Sequence, residues 1–188
     1  GRWSGLQCCL MTVSASVTYD AATRIATLTP AAALSTGSTY TVVVKGGNAL
    51  TSVQDLAGNA FVGPYTGGET YTIDKGDPAV ASLLRQDPLT SLTNADAVTF
   101  RVTFAEDMQN VDTGDLALAL TGTAAGTVNA VNPQSASIYD IVITGVSGDG
   151  ALGLSFQAGN DIQDLAGNPL GAGPSIGTAE TYTIDNTA

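Results

Sequence analysis

Ala97-Val98-Thr99-Phe100-Arg101-Val102-Thr103-Phe104 places an apolar side chain at every second position. Val98, Phe100, Val102 and Phe104 share one face, and Thr99, Arg101 and Thr103 the other. A period of two is the mark of a half-buried strand. Outward from it, further β-rich runs follow at Ala79–Leu84, Leu116–Leu120 (LALAL), Gly126–Val131, Ile138–Thr144 (IYDIVIT), Leu152–Phe156 and Thr181–Ile184 (TYTI). Turn residues separate them, with Gly148–Gly150 marking one turn. Seven short strands at this spacing predict an all-β, Ig-like Greek-key sandwich over residues 76–188.

An internal repeat extends this reading upstream. Gln54-Asp55-Leu56-Ala57-Gly58-Asn59 recurs as Gln163–Asn168, 109 residues later, and Glu69-Thr70-Tyr71-Thr72-Ile73-Asp74 recurs as Glu180–Asp185, 111 residues later. A period near 110 is that of a sandwich domain rather than a solenoid unit. The first copy is shorter. Thr12–Tyr19, a turn at Asp20–Thr23, Arg24–Leu28, Tyr40–Lys45 and Thr70–Ile73 match only the last four strands of the second. Residues 1–75 therefore predict a truncated domain, one that leaves a core face or sheet edge bare. Tyr40 has the position of a tyrosine corner, with its hydroxyl bonded back to the preceding loop.

Composition removes several functions. The 188 residues carry 17 acids, 6 bases and no histidine, a net charge of −11. Phosphate-backbone binding and anionic-lipid surfaces both require basic clusters, so nucleic acid and membrane partners are not expected. Without histidine there is no Ser-His-Asp triad and no His-ligated zinc. Residues 1–75 balance four acids with four bases, so the whole net charge lies in 76–188. Gly1–Met11 lacks a signal-peptide pattern. Its adjacent Cys8 and Cys9 have no third cysteine to pair with, which marks residues 1–11 as aberrant to the fold.

Topology makes the acids informative. In a sandwich with alternating strand sense, three segments share one pole: the linker Asp74-Lys75-Gly76-Asp77-Pro78, the loop after Phe104 with Glu106, Asp107, Asp112 and Asp115, and the loop Asn160–Asn168 with Asp161 and Asp164. Carboxylates gathered there repel unless screened or neutralised. Either the loops are solvated surface, or a hard cation neutralises them. Ca²⁺ accepts mixed oxygen ligands from loops, whereas Mg²⁺ demands stricter octahedral geometry. No EF-hand loop is present, since Asp161 and Asp164 lack acids at the other required positions.

Three segments carry a family resemblance: Val98–Glu106, the Asp161-x-x-Asp164-x-Ala166-Gly167-Asn168 loop, and Tyr182-Thr183-Ile184-Asp185-Asn186-Thr187-Ala188. They resemble the tandem bacterial Ig-like repeats of large surface proteins and adhesins. Val13 to about Asn59 is similar to the C-terminal half of the related bacterial Ig-like domain of S-layer and secreted proteins. The resemblance implies an extracellular or cell-surface, non-catalytic spacer whose neighbours are further repeats, with any adhesion target bound by other domains. It also implies Ca²⁺ at the domain junction, held by Asp74, Asp77, Glu106, Asp161 and Asp164 with Asn168 in the same loop. Asp185 would serve the next junction, since such repeats continue beyond the final Thr-Ala. Two departures bear on this. Ser52 stands where the second copy has Asp161, and the first copy lacks the glutamate, so no upstream junction is expected.

Two rivals follow from the residues. Paired carboxylates could hydrolyse glycosides, but that chemistry needs a cleft with stacking aromatics, and the aromatics here fall mostly in strands. A carbohydrate-binding or accessory module of a secreted enzyme would use exposed rings, for which Tyr65 and Tyr139 are the candidates, but Tyr139 lies in the Ile138–Thr144 strand and Tyr65 in a glycine-rich loop.

Overall fold

The computed structural model describes residues 12–47, 53–171 and 176–187. The first compact unit ends at Asp74 and the second begins at Lys75. Gly1–Met11, with Cys8 and Cys9, and also Ser52 lie outside the described residues.

Among the described residues, the first unit contains two antiparallel strand pairs. β1 (Ala15–Asp20) pairs with β2 (Ile25–Pro30), and β3 (Ser38–Thr41) with β4 (Thr70–Ile73). Asp20 shapes the first turn by accepting from the Ala22 N–H at 2.9 Å and the Thr23 hydroxyl at 2.8 Å. Directly opposed residues share a face. Ala15, Val17 and Tyr19 therefore lie beside Pro30, Leu28 and Ala26, while serine and threonine dominate the other side. The expected tyrosine corner is present, with the Ser35 N–H donating to the Tyr40 hydroxyl at 3.1 Å.

The second unit is a two-sheet sandwich. Its strands are β5 (Val80–Asp87), β6 (Leu92–Thr93), β7 (Ala97–Phe104), β8 (Met108–Gln109), β9 (Leu116–Leu120), β10 (Ala125–Pro133), β11 (Ile138–Ser147), β12 (Asp149–Phe156), β13 (Gln163–Asp164), β14 (Ile176–Ala179) and β15 (Tyr182–Asp185). One sheet runs β10-β11-β7-β5-β14 and the other β6-β15-β12-β9, with β8 and β13 forming a separate small pair. Apart from the short β6 and β14, this is the four-plus-three strand partition of a constant-type Ig sandwich.

The alternation read in Ala97–Phe104 is realised: Val98, Phe100, Val102 and Phe104 are all buried. They meet Tyr139, Ile141 and Ile143 of β11 and Leu152, Tyr182 and Ile184 of the opposite sheet in one apolar core. Phe100 and Tyr182 pack edge to face with ring centroids 5.0 Å apart. Across the solvent side of β7 and β11, Arg101 grips Asp140 through two hydrogen bonds of 2.8 and 2.9 Å.

Four short strands, β6, β8, β13 and β14, were not legible in advance. β14 pairs parallel with β5, and β6 pairs parallel with β15. The first and last strands thus each divide between the sheets. Gly177 permits the β14 contact, because a Cβ there would stand 2.5 Å from the Ala81 carbonyl oxygen. Such short parallel segments have no periodicity of their own to read.

Candidate metal centre at one end of the second unit

The loop after β7 and the loop after β12 are stitched together. Gln163 pairs with Gln109 and Asp164 with Met108. The Gln109 side-chain amide donates to the Asp164 carbonyl at 2.7 Å, and the Asn110 amide to the Asp161 carbonyl at 3.3 Å. The entering strand joins the same end, with the Ala105 N–H donating to the Ala79 carbonyl at 2.9 Å. Tyr139 anchors the lower part of the loop by donating its hydroxyl toward the carbonyls of Met108 and Ala136, each at 3.1 Å.

Asp164 organises its own loop. One carboxylate oxygen accepts from the Ala166 and Asn168 N–H groups at 2.8 Å each, and the other from the Asn168 side-chain amide at 2.7 Å. Gly167 takes φ +90°, a left-handed conformation that favours glycine. Asp55 builds the same loop in the first unit, accepting from Ala57, Asn59 and the Asn59 amide. The repeated six-residue motif is therefore a hydrogen-bonded turn, which explains its spacing without any ligand. The two copies differ in setting: Asp164 is 1% exposed, whereas Asp55 is on the surface. Burial pushes the Asp164 carboxyl upward, but the donors of Asn168, Ala166 and Gly167 outweigh it and leave the group below the ordinary aspartate range.

The Glu106 and Asp164 carboxylates bring oxygens within 4.8 Å of each other. Glu106 is half-buried. Asp77 is exposed directly before the buried Pro78. Asp161 contributes mainly through its backbone, and its side chain is exposed. Asn168 spends its amide nitrogen on Asp164 and so shapes the carboxylate that it neighbours. Asp74 directly follows β4 and is the last residue of the first unit. Asp185 lies away from this end: it pairs with Asp149 where β12 begins, while the stitched loop leaves from where β12 ends.

Asp115 is the residue that sequence reading undervalued. It is 3% exposed. It accepts from the Asp112 N–H at 2.8 Å and from the Asp161 N–H at 3.2 Å, so it ties the two loops from beneath. Its signal was the Asp112-x-x-Asp115 spacing, a capping box on the 3₁₀ turn Thr113–Asp115. Burial raises its carboxyl above the ordinary range, and the charges of Asp112 and Asp161 push the same way against those two donors. A raised folded value means that the native state binds the proton more tightly than the unfolded chain. Asp115 therefore lowers stability as pH rises from about 3.9 through its folded value. Asp115→Asn is expected to flatten that decline in melts run from pH 3 to 7; an unchanged slope would count against the assignment.

All the donors gathered at this end are oxygens, and among the described residues no histidine or cysteine joins them. Carboxylates of this kind fit a hard cation of the Ca²⁺ type. As a stacking residue for sugars Tyr139 must be corrected: at 7% exposure its ring is in the core, edge to face with Phe104 at 5.8 Å. Alternation along β11 turned it inward. Tyr65 is 54% exposed and donates to the Gly67 carbonyl.

The fold and this loop arrangement define an all-β, Ig-like sandwich with a stitched, acidic pole. Residues 10–73 match the family model described as Bacterial Ig-like domain. No curated protein matches the chain. Domains of that description are generally non-catalytic modules and typically occur in surface or secreted proteins. Among the described residues no helix is long and apolar enough to cross a membrane.

Proposed function

We propose that the chain is a spacer segment of a bacterial surface or secreted protein, in which Ca²⁺ bound at the junction between Ig-like units stiffens the 74–78 linker. The observation that carries this reading is the approach of Glu106 and Asp164 on two loops that hydrogen bonds hold together. Like charges so placed are costly unless a cation neutralises them. Glu106 and Asp164 would hold the ion, with Asp74, Asp77 and Asp161 as the further carboxylates of the junction and Asn168 orienting Asp164. Asp185 would serve a following junction.

Small interfaces leave linked domains free to move. An ion shared across the linker removes that freedom, and repeated along a chain it turns a string into a rod that displays a distal binding domain. Extracellular sites of this type bind with Kd of about 10⁻⁴–10⁻³ M. At one to ten times Kd the ion adds about 0.4–1.4 kcal/mol, or about 2–6 °C in the melting of a domain of this size.

Differential scanning calorimetry of the full chain in EDTA and in millimolar Ca²⁺ tests this. The second-unit transition should rise with Ca²⁺, and Glu106→Ala should abolish the rise. Equal melting in all samples would leave an acidic, metal-free spacer.

A further inference from the structure

Among the described residues, both parallel pairings of the second unit join its opening strands to its closing ones. β14 lies along β5 with Ile176 beside Val80 and Ala179 beside Leu83, and β15 lies along β6 with Thr183 beside Leu92. Backbone bonds carry the contact across the crossover between sheets. The Glu180 N–H donates to the Leu83 carbonyl at 2.9 Å, and the Thr183 N–H to the Ser91 carbonyl at 2.7 Å. The chain enters this unit at the pole where Val80 opposes Phe104 and leaves it at the other, where Asp185 opposes Asp149.

Arg85 sits where both terminal strands change sheet. Its Nη1 donates to the Thr181 carbonyl at 2.9 Å, its Nη2 to Glu180 Oε1 at 3.1 Å and its Nε to the Leu89 carbonyl at 3.3 Å. The second Glu180 oxygen accepts the Arg85 backbone N–H at 3.0 Å. One guanidinium thus joins the end of β5, the chain leading into β6 and the link between β14 and β15, a task for a planar fork of donors rather than a point charge. The pair of Arg101 with Asp140 has the same chemistry but joins β7 to β11 inside one sheet.

Pulling on the two ends of the unit draws β5 and β6 toward the entry pole and β14 and β15 toward the exit pole. Parallel neighbours drawn apart in this way slide along each other, so their hydrogen bonds are loaded together. An antiparallel hairpin pulled at its two ends is instead loaded one bond at a time. We infer that the second unit resists end-to-end tension, with its parallel terminal strands acting as a shear clamp and Arg85 as the positioning residue that pins the clamp at the sheet crossovers. The clamp rests on the spacer reading for its use, since that reading supplies the tension, but it needs no ion.

Optical tweezers test this on the full chain held by its two ends in EDTA, with the second-unit event recognised by the contour length of residues 75–188. Forced unfolding reports the unfolding rate. Arg85→Gln removes charge-assisted bonds and should shorten the lifetime at constant force by about tenfold or more. Arg101→Gln breaks the same chemistry between interior strands and should shorten it by about threefold or less. Independently of any variant, the parent chain tethered at Asp77 and Ser135 should give way at lower force. Both residues lie at the entry pole, where the Phe104 N–H donates to the Ser137 carbonyl, so this geometry peels the sheet strand by strand. A parent-like lifetime for Arg85→Gln, equal losses for the two arginine variants, or equal force in the two tether geometries overturns the inference. The calorimetric response to Ca²⁺ is read separately, so a failed junction and a failed clamp are distinguishable.

Discussion

Tyr182→Ala is expected to cost the second unit about 3–5 kcal/mol, the range for removing a large aromatic side chain from a packed core. Nothing of the ring is exposed, it packs against Phe100, and its hydroxyl satisfies the Thr99 carbonyl. Burial holds that hydroxyl's pKa up at about 12, so it remains a donor across any ordinary buffer range. Truncation leaves a cavity between the sheets and removes the hydroxyl's bond to the Thr99 carbonyl. Against a typical domain stability of about 5–15 kcal/mol, the loss is large enough to unfold the unit well below its normal midpoint. Tyr71→Ala, at the equivalent position of the repeat, is expected to change stability by less than about 1 kcal/mol, as exposed positions do. Urea unfolding followed through the amide resonances of β4 and β15 separates the two. Equal effects at both positions would show that the first unit already has a covered core.

Asp164→Ala should cost about 2–4 kcal/mol, because three donors aimed at one buried carboxylate lose their acceptor together, at roughly 1 kcal/mol or more each. The Asp164 folded pKa is depressed, so its contribution is fully present above the unfolded value near 3.9 and is lost as pH falls through the lowered folded value. The variant should therefore be less stable at neutral pH and should converge on the parent in acid. Measuring both in EDTA keeps any ion out of the comparison. Asp55→Ala, with the same bonds made at the surface where water replaces the acceptor, should cost less. A neutral-pH loss at Asp164 no larger than at Asp55 would mean that burial adds nothing to this loop.

These two predictions divide the site according to how it could be found. The motif Asp164-Leu165-Ala166-Gly167-Asn168 was visible as a repeat, but its meaning as a self-bonded turn came from the coordinates, which gave Asp55 the same bonds. The meeting of the two acidic loops followed from strand alternation alone, since alternating sense fixes which loops share a pole. Asp115 was read only as one more acid of its loop, because a buried carboxylate looks, in one dimension, like any other acid in a polar loop. Tyr139 could be named as a candidate ring but not placed, for the related reason that an aromatic in a strand points in or out according to register.

By itself the sequence determined the strands with strong period-two alternation, the repeat near 110 residues and the pole where the acids gather. Each of these is written in local spacing, and local spacing survives without a partner. Only the tertiary structure decided how the first and last strands divide between the sheets, which carboxylates sink beneath the surface, and why one tyrosine of the repeat is buried while its twin is bare. Those outcomes depend on what lies across the sheet, and contacts between residues far apart in the chain leave no periodic trace in it.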